Sequence, residues 1–206
     1  MRWLGVGCSI GCLFVALNGA YPLANQRMEV SLTGWIALFD GTSLAGWSQE
    51  QGARWRVSAG AIVSAAGTDG WLRSNRQFSD FLLRIEFKNS PKGNSGIFLR
   101  ATKESNPTDP SNPSGGYELQ INNEDEHWAT GSIENFIPRL IAVTPAPGEW
   151  HAYDVEVHGD HLMASLDGIK VLDGHDTKFK TGYIGLQHHK DSRIDFRKIT
   201  IKPLAD

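Results

Sequence analysis

The sequence contains little cysteine, little excess charge and no long apolar run beyond its start. Both cysteines, Cys8 and Cys12, lie within the first 20 residues, so the remainder of the chain has no cysteine for a disulfide or a reactive thiolate. The formal net charge is only −3 over 206 residues, which argues against a nucleic-acid-binding surface or a strongly basic membrane patch. A chain of this length is predicted to form one domain with its own core.

The first 20 residues differ from the rest of the chain. Arg2 precedes an apolar run from Leu4 to Leu17, and the segment ends in Gly-Ala, which predicts a secretory signal peptide. The run is shorter than the roughly 20 apolar residues that span a bilayer, and an uncleaved anchor is the alternative. We therefore expect a periplasmic or secreted protein, with no membrane contact beyond export, divided into residues 1–20 (signal peptide), 21–34 (linker) and 35–206 (folded domain).

Helical periodicity is missing after the signal segment, as are the G-x-S-x-G, H-E-x-x-H and P-loop motifs. The chain instead shows short segments that end in turn residues such as Asp167-Gly168. Residues 80–88 and 117–122 alternate between apolar and polar side chains, as half-buried strands do. The pattern predicts an all-β jelly-roll sandwich of two antiparallel sheets.

Four predicted strands carry polar side chains opposite their apolar face. If these strands share one sheet, that outer face collects carboxylates, amides, cations and an imidazole. Amides together with Arg and His suit sugar hydroxyls, which need both donors and acceptors. The pattern therefore favours a carbohydrate site, with an ordinary solvated face as the alternative; the polar residues concerned are Arg84, Glu86, Lys88, Arg100, Glu118, Gln120, Asn122, Gln187 and His189.

The sequence does not reveal a pair of catalytic carboxylates. Glu118 and Glu124 share one side of a strand, but a separation of six residues places them roughly 20 Å apart. Two-carboxylate glycosidases need about 5–9.5 Å. Glu86 could supply a partner from another strand, although its neighbours Arg84 and Lys88 make a surface ion pair an equal alternative.

No metal or cofactor is predicted. Asn122, Glu124 and Asp125 could offer oxygens to a hard cation, but they lack a spaced ligand pattern. His188 and His189 are adjacent and point to opposite faces of a strand, so they cannot both bind one ion in that geometry.

Several motifs in order along the chain resemble a known family. They are LFDGTSLAGW, GNSGIFLR, GYELQI, TGSI, TGYIGLQHH and IDFRKITI. This set is similar to the 3-keto-disaccharide hydrolase family, over roughly residues 35–203. The resemblance implies a concanavalin-like lectin/glucanase sandwich and an enzyme that cleaves glycosides already oxidised to a ketone at C3.

The resemblance also implies roles for individual residues. A C3 ketone acidifies the C2 proton, so a base can remove it, the C1 substituent can leave, and water can add to the enone. Glu118 and His189 would share the acid/base work, and Arg100 would stabilise the enolate oxygen or orient the substrate. Gln120 and Gln187 would hold hydroxyls and Trp71 would stack on a sugar. The partners implied are a 3-keto-glycoside and an upstream sugar 3-dehydrogenase.

Other roles are compatible with the same residues. Arg100 could pair with Glu118 or Glu86, and Trp71 could belong to the core. The chain departs from the family pattern at Asn123, His188, Lys190 and Lys198, and the loss of a carboxylate would suit a binding-only member. The alternatives for function are therefore a lectin-like module and a conventional glycoside hydrolase.

Overall fold

The computed structural model describes residues 34–103 and 115–205, which form eleven β-strands and, within those ranges, no helix. The predicted signal peptide lies outside these residues, as does most of the predicted linker. The strands are β1 Ile36–Ala37, β2 Trp47–Ser58, β3 Ala61–Phe78, β4 Phe81–Asn89, β5 Asn94–Ala101, β6 Tyr117–Asn122, β7 His151–His158, β8 His161–Leu166, β9 Ile169–His175, β10 Gly182–His188 and β11 Ile194–Pro203.

The strands follow the order β6-β5-β10-β3-β11-β4-β7-β8-β9, and every pairing is antiparallel. Strand β3 connects two layers, because its beginning pairs with β11 and its second half pairs with β10. We call β6, β5, β10 and the second half of β3 the front sheet. We call the beginning of β3 together with β11, β4, β7, β8 and β9 the back sheet. Strand β2 runs beside β3 along almost its whole length.

The inner faces of the two sheets form one apolar core, as period-two alternation requires. Ile97, Leu119 and Leu186 of the front sheet belong to the same cluster as Ile85 and Phe196 of the back sheet, and all five are fully buried. The predicted all-β sandwich of two antiparallel sheets is confirmed. No helix within the described ranges is long and apolar enough to cross a membrane.

A bulge in β5 changes which side chains face outward at the end of that strand. Between Tyr183 and Gly185 the β5–β10 register shifts by one residue, because Tyr183 pairs with Ala101 and Gly185 with Phe98. Arg100 takes a positive φ of 53° at this point, a backbone conformation that non-glycine residues seldom adopt. Ala101 therefore joins Phe98 in the outer cluster, in the place that simple alternation assigns to Arg100.

Candidate active site

The outer face of the front sheet brings the predicted polar residues together in two rows across the strands. The first row joins Glu118 to Phe98 and then to Gly185. In the second row Gln120 pairs with Gly96, and Gln187 pairs with Trp71. We call this surface the site face.

Two glycines make room for the large side chains of the site face. A Cβ atom at Gly96 would overlap Glu118 Oε1 and lie 2.6 Å from its Cγ. The carboxyl group of Glu118 therefore lies over Gly96, between the two glutamines of the second row. A Cβ atom at Gly185 would lie 2.6 Å from Cζ3 of Trp71. Both positions need glycine because a neighbouring side chain occupies the space above them.

Trp71 forms the apolar part of the site face. Its ring is fully buried and meets Phe98 edge to face, with 5.5 Å between ring centroids. Tyr183 packs against this cluster, and the guanidinium of Arg73 lies 4.3 Å from the centre of the Tyr183 ring. Arg73 is itself paired with Glu50 at 2.9 Å. The site face is therefore polar on β6 and aromatic on β3.

An irregular segment lies along the free edge of β6. We call residues 129–137 the edge segment. Four backbone hydrogen bonds join it to β6. Thr130 N–H donates to the carbonyl of Asn122 and Gly131 N–H to that of Gln120. Gln120 N–H donates to the carbonyl of Ser132 and Glu134 N–H to that of Glu118. The alternation of Thr130, Ser132 and Glu134 in the sequence is the signal that could have revealed it.

The edge segment supplies a carboxylate that the sequence analysis missed. Glu134 Oε2 accepts a hydrogen bond of 2.7 Å from Gln120 Nε2, and Glu134 lies opposite Glu118, because its backbone N–H donates to the Glu118 carbonyl. Burial raises the pKa of Glu118 well above its ordinary value, and the adjacent carboxyl of Glu134 raises it further. Glu118 is 1% exposed, and this burial favours the protonated form of its carboxyl group.

Buried polar atoms without a hydrogen-bond partner concentrate on and beside the site face. Buried polar groups are normally paired, so such a concentration calls for an explanation. A bound ligand rich in hydroxyl groups would supply partners for oxygens, ring nitrogens and an indole N–H alike. Within the described ranges, the atoms concerned are Trp71 Nε1, Asn94 Oδ1, Glu118 Oε1, Gln120 Oε1, Gln187 Oε1 and His189 Nδ1.

His189 follows the last residue of β10, on the same side as Gln187 by alternation. Continued from the pairing of Leu186 with Ile97, the register sets it level with Asn94, one step of about 7 Å along the strand from the row of Gly96. It is thus at the end of the site face. His188 points inward, where it is 2% exposed and meets the Trp55 ring edge to face, and burial lowers its pKa.

The side chain of Arg100 does not lie on the site face. The prediction that it shares one outer face with Glu118 is therefore wrong. The bulge turns its side chain toward the end of the sandwich, where Nη2 pairs with Asp80 at 2.7 Å. The other donors reach the carbonyls of Ser79, Gly159 and Phe179. These bonds join four segments, and they replace the predicted pairing with Glu118 or Glu86.

Glu86 is also absent from the site face, because β4 belongs to the back sheet. Its carboxylate accepts hydrogen bonds from Arg197 at 2.6 Å and from Lys198 at 2.8 Å. The surface ion pair that was the alternative for Glu86 is therefore present, although with partners on β11. Asn123, one of the departures from the family pattern, accepts a hydrogen bond from Thr130 at 2.8 Å and so helps to hold the edge segment.

Comparison with known proteins places this geometry in a family. Residues 34–202 match the model of the 3-keto-alpha-glucoside-1,2-lyase-like domain. The chain belongs to this family. The match takes in both sheets and the edge segment of the lyase-like domain. It confirms the resemblance seen in the sequence motifs, together with the prediction of an enzyme that acts on sugars.

Individual relatives agree with this assignment. A 3-keto-disaccharide hydrolase from Bacteroides thetaiotaomicron is 24% identical over 243 residues, which cover 90% of this chain and 83% of that protein. A candidate glycosyl hydrolase from Parabacteroides distasonis has a TM-score of 0.71 at 20% identity, covering 84% of this chain and 95% of its own. A carbohydrate-binding module of Bacillus subtilis reaches a TM-score of 0.59, covering 76% and 95% of the two chains at 20% identity. The structural likenesses confirm the lectin-like jelly-roll fold.

Proposed function

We propose that the protein cleaves 3-keto-glycosides by removing the C2 proton, expelling the C1 substituent and hydrating the product. The observation that carries the proposal is Glu118, a buried carboxyl group that faces unpaired amide oxygens and an aromatic wall. Burial and the neighbouring carboxyl group of Glu134 raise its pKa, which favours the protonated form. Such a group can donate a proton to a departing alkoxide oxygen.

The proposed steps balance without any exchange of electrons with the protein. A base takes the C2 proton, and the electron pair of the broken C2–H bond forms the enolate of the C3 ketone. Collapse of the enolate forms the C1–C2 double bond and breaks the bond from C1 to the leaving oxygen, which takes the Glu118 proton. Water then adds at C1 and a proton returns to C2. The sum is hydrolysis of the glycoside.

His189 is the proposed base. Its Nδ1 is buried and has no hydrogen-bond partner within the described ranges, so the nitrogen is free to accept a proton. His189 follows β10, which is separated from the edge segment by β6 and β5. A sugar ring bound beside the Glu118 carboxyl group, on the side of β10, would therefore lie between His189 and Glu118, as an acid and a base acting on neighbouring carbons require.

The enolate oxygen needs a donor other than Arg100, whose side chain is committed to Asp80 and three carbonyls. Trp71 Nε1 is a buried donor without a partner, and an indole nitrogen can only donate. We assign it the stabilisation of the enolate oxygen. The Trp71 ring is fully buried, so it has no exposed face on which a sugar could stack as expected. Gln120 and Gln187 would bind hydroxyls.

The ketone must be made before this enzyme acts. Oxidation at C3 requires a hydride acceptor, so the reaction class that supplies the substrate is that of a sugar 3-dehydrogenase. Export through the signal peptide would bring the enzyme to glycosides in the periplasm or outside the cell.

Conventional glycoside hydrolysis is a second candidate because of Glu134. Two-carboxylate hydrolysis needs a second carboxylate about 5–9.5 Å from Glu118, and Glu134 is the carboxylate opposite Glu118 across the sheet edge, since its backbone N–H donates to the Glu118 carbonyl. Both carboxyl groups, however, extend from neighbouring backbone at one edge of the sheet. Hydrolytic pairs flank the scissile bond, whereas this pair lies on one side of the site face.

The deciding experiment compares a 3-keto-glucoside with its unoxidised parent, using wild type, Glu118→Gln and Glu156→Gln. Glu156 is a strand glutamate of the back sheet, so it controls for the substitution itself. We expect release from the keto form only, reduced at least about 100-fold in Glu118→Gln and retained in the control. Release from both substrates would favour the two-carboxylate route. Sugar binding without release would leave a lectin-like module.

A further inference from the structure

Glu134 lies opposite Glu118 at the edge of the front sheet, and nothing in the sequence motifs assigns it a role. It reaches Glu118 because the edge segment holds residues 130–134 antiparallel to β6. Two carboxyl groups in contact cannot both be ionised at low cost, so they share one proton. The arrangement therefore has a protonated and an ionised member.

The hydrogen bonds decide which member is ionised. Glu134 is partly exposed and accepts the 2.7 Å bond from Gln120 Nε2, whereas Glu118 is 1% exposed and its Oε1 has no partner. A donor and solvent both favour the charged form, and burial disfavours it. The negative charge therefore belongs on Glu134 and the proton on Glu118.

The row of the front sheet that begins at Glu118 has no cation before Arg73. The row continues through Phe98 and Gly185, which carry no charge, before it reaches Arg73. Arg73 is three strands away, about 14 Å, and is paired with Glu50. His189, on β10, lies beyond the row of Gly96. Gln120 and Gln187, the polar neighbours over Gly96, are neutral.

We propose that Glu134 is a positioning residue whose ionised carboxylate holds the transferable proton on Glu118. This inference rests on the proposed function for its catalytic consequence, since the held proton is the one that goes to the leaving oxygen. The pairing itself does not depend on any substrate. After Glu118 gives up its proton, two adjacent carboxylates remain, and their repulsion favours the return of a proton before the next turnover.

The direct test follows the protonation of Glu118 without substrate. In protein labelled with ¹³C-carboxyl glutamate, infrared spectroscopy records the band of a buried protonated carboxyl, which we expect Glu118→Gln to remove. Glu134→Gln should lower the pH at which this band disappears by about one to two units, because one negative neighbour is lost. Glu134→Asp keeps the charge and should restore most of the shift. Glu126→Gln, an exposed loop change, should leave the band unmoved.

A band that titrates at the same pH in Glu134→Gln as in wild type would overturn the inference, as would a band that disappears in Glu134→Gln and persists in Glu118→Gln. The kinetic test is the pH profile of kcat/KM on the 3-keto-glucoside, whose alkaline limb should move down with the band. If wild type cleaves no keto substrate, the proposed function fails, and the infrared titration still decides the role of Glu134.

Discussion

The outer faces of the two sheets carry similar sequence patterns but very different structures. On the back sheet, charges are matched by charges: Glu86 binds Arg197 and Lys198, and Arg84 lies 3.5 Å from Asp154 with side chains that are 56% and 47% exposed. On the front sheet, amides and a carboxyl group are buried with oxygens that have no partner in the described structure. The back face is complete as it stands, whereas the front face has the unmet hydrogen-bonding capacity of a binding site.

This difference shows that alternation identifies an outer face without revealing its use. Arg84-x-Glu86 and Glu118-x-Gln120 have the same period. The two patterns differ in the balance of charge across neighbouring strands. Exposed ion pairs contribute little net free energy, whereas burying an unpaired carboxyl group is costly. Substitutions on the outer face of each sheet, and at the β5 bulge where the outer face of the front sheet ends, test this difference.

The largest expected effect on stability is at Arg100, which lies outside both faces. Arg100→Met removes the partner of Asp80 and the donor to three carbonyls, which should cost about 3–5 kcal/mol of unfolding free energy. Chemical denaturation measures this loss. At a temperature where the variant is folded, sugar binding should persist. A stable variant that has lost sugar binding would show that Arg100 takes part in binding the sugar.

A smaller effect is expected from filling the space above Gly96. Gly96→Ala should cost about 1–3 kcal/mol by overpacking, because the new Cβ collides with the Glu118 side chain. Cleavage should fall as the carboxyl group is displaced. In a Glu118→Ala background the same change should cost much less, so a double-mutant cycle checks the contact. Additive costs in the cycle would contradict the placement of Glu118 over Gly96.

Glu118 should make stability depend on pH. Its pKa is raised in the folded state, so the native protein binds more protons than the unfolded chain above the ordinary glutamate pKa, and stability falls as pH rises through that window. Glu118→Gln removes this loss. Relative to wild type, the variant should gain at least about 2–4 °C in Tm between pH 5 and pH 8. Parallel Tm curves for the two proteins would argue against a protonated Glu118.

The smallest effect is expected on the back face. Glu86→Gln leaves Arg197 and Lys198 near water, so the change in unfolding free energy should stay within about 1 kcal/mol. It should also shrink in high salt, which screens exposed ion pairs. Thermal unfolding at low and high salt measures both. A large, salt-independent loss would show that the back face is not simply a solvated surface.

Much of the site face could be predicted from local pattern. Glu118, Gln120, Gln187 and Trp71 occupy regular strand positions, and period two is enough to place regular strand residues on one side. The fold followed from the same alternation together with its turn signals. Arg100 could not be placed in this way, because a bulge reverses the alternation and depends on how β5 meets β10.

Glu86 and Glu134 were misjudged for a different reason. Whether two strands share a sheet depends on the order of pairing, which the sequence of a single strand does not encode, so Glu86 was grouped with strands of the other layer. Glu134 lies in an irregular segment that pairs with β6 at alternate residues. Its contact with Glu118 arises from long-range packing, which no local motif expresses.

The edge segment has a consequence for the solubility of the chain. Without it, the far side of β6 would present unpaired backbone N–H and C=O groups, the kind of exposed border on which strands of other molecules can add. Four backbone hydrogen bonds between residues 130–134 and β6 occupy that border. The irregular path of the segment, with a positive φ at Gly131 and at Asn135, makes it a poor template for further pairing. The edge segment, which contains Glu134, therefore also prevents strands of other molecules from adding to β6.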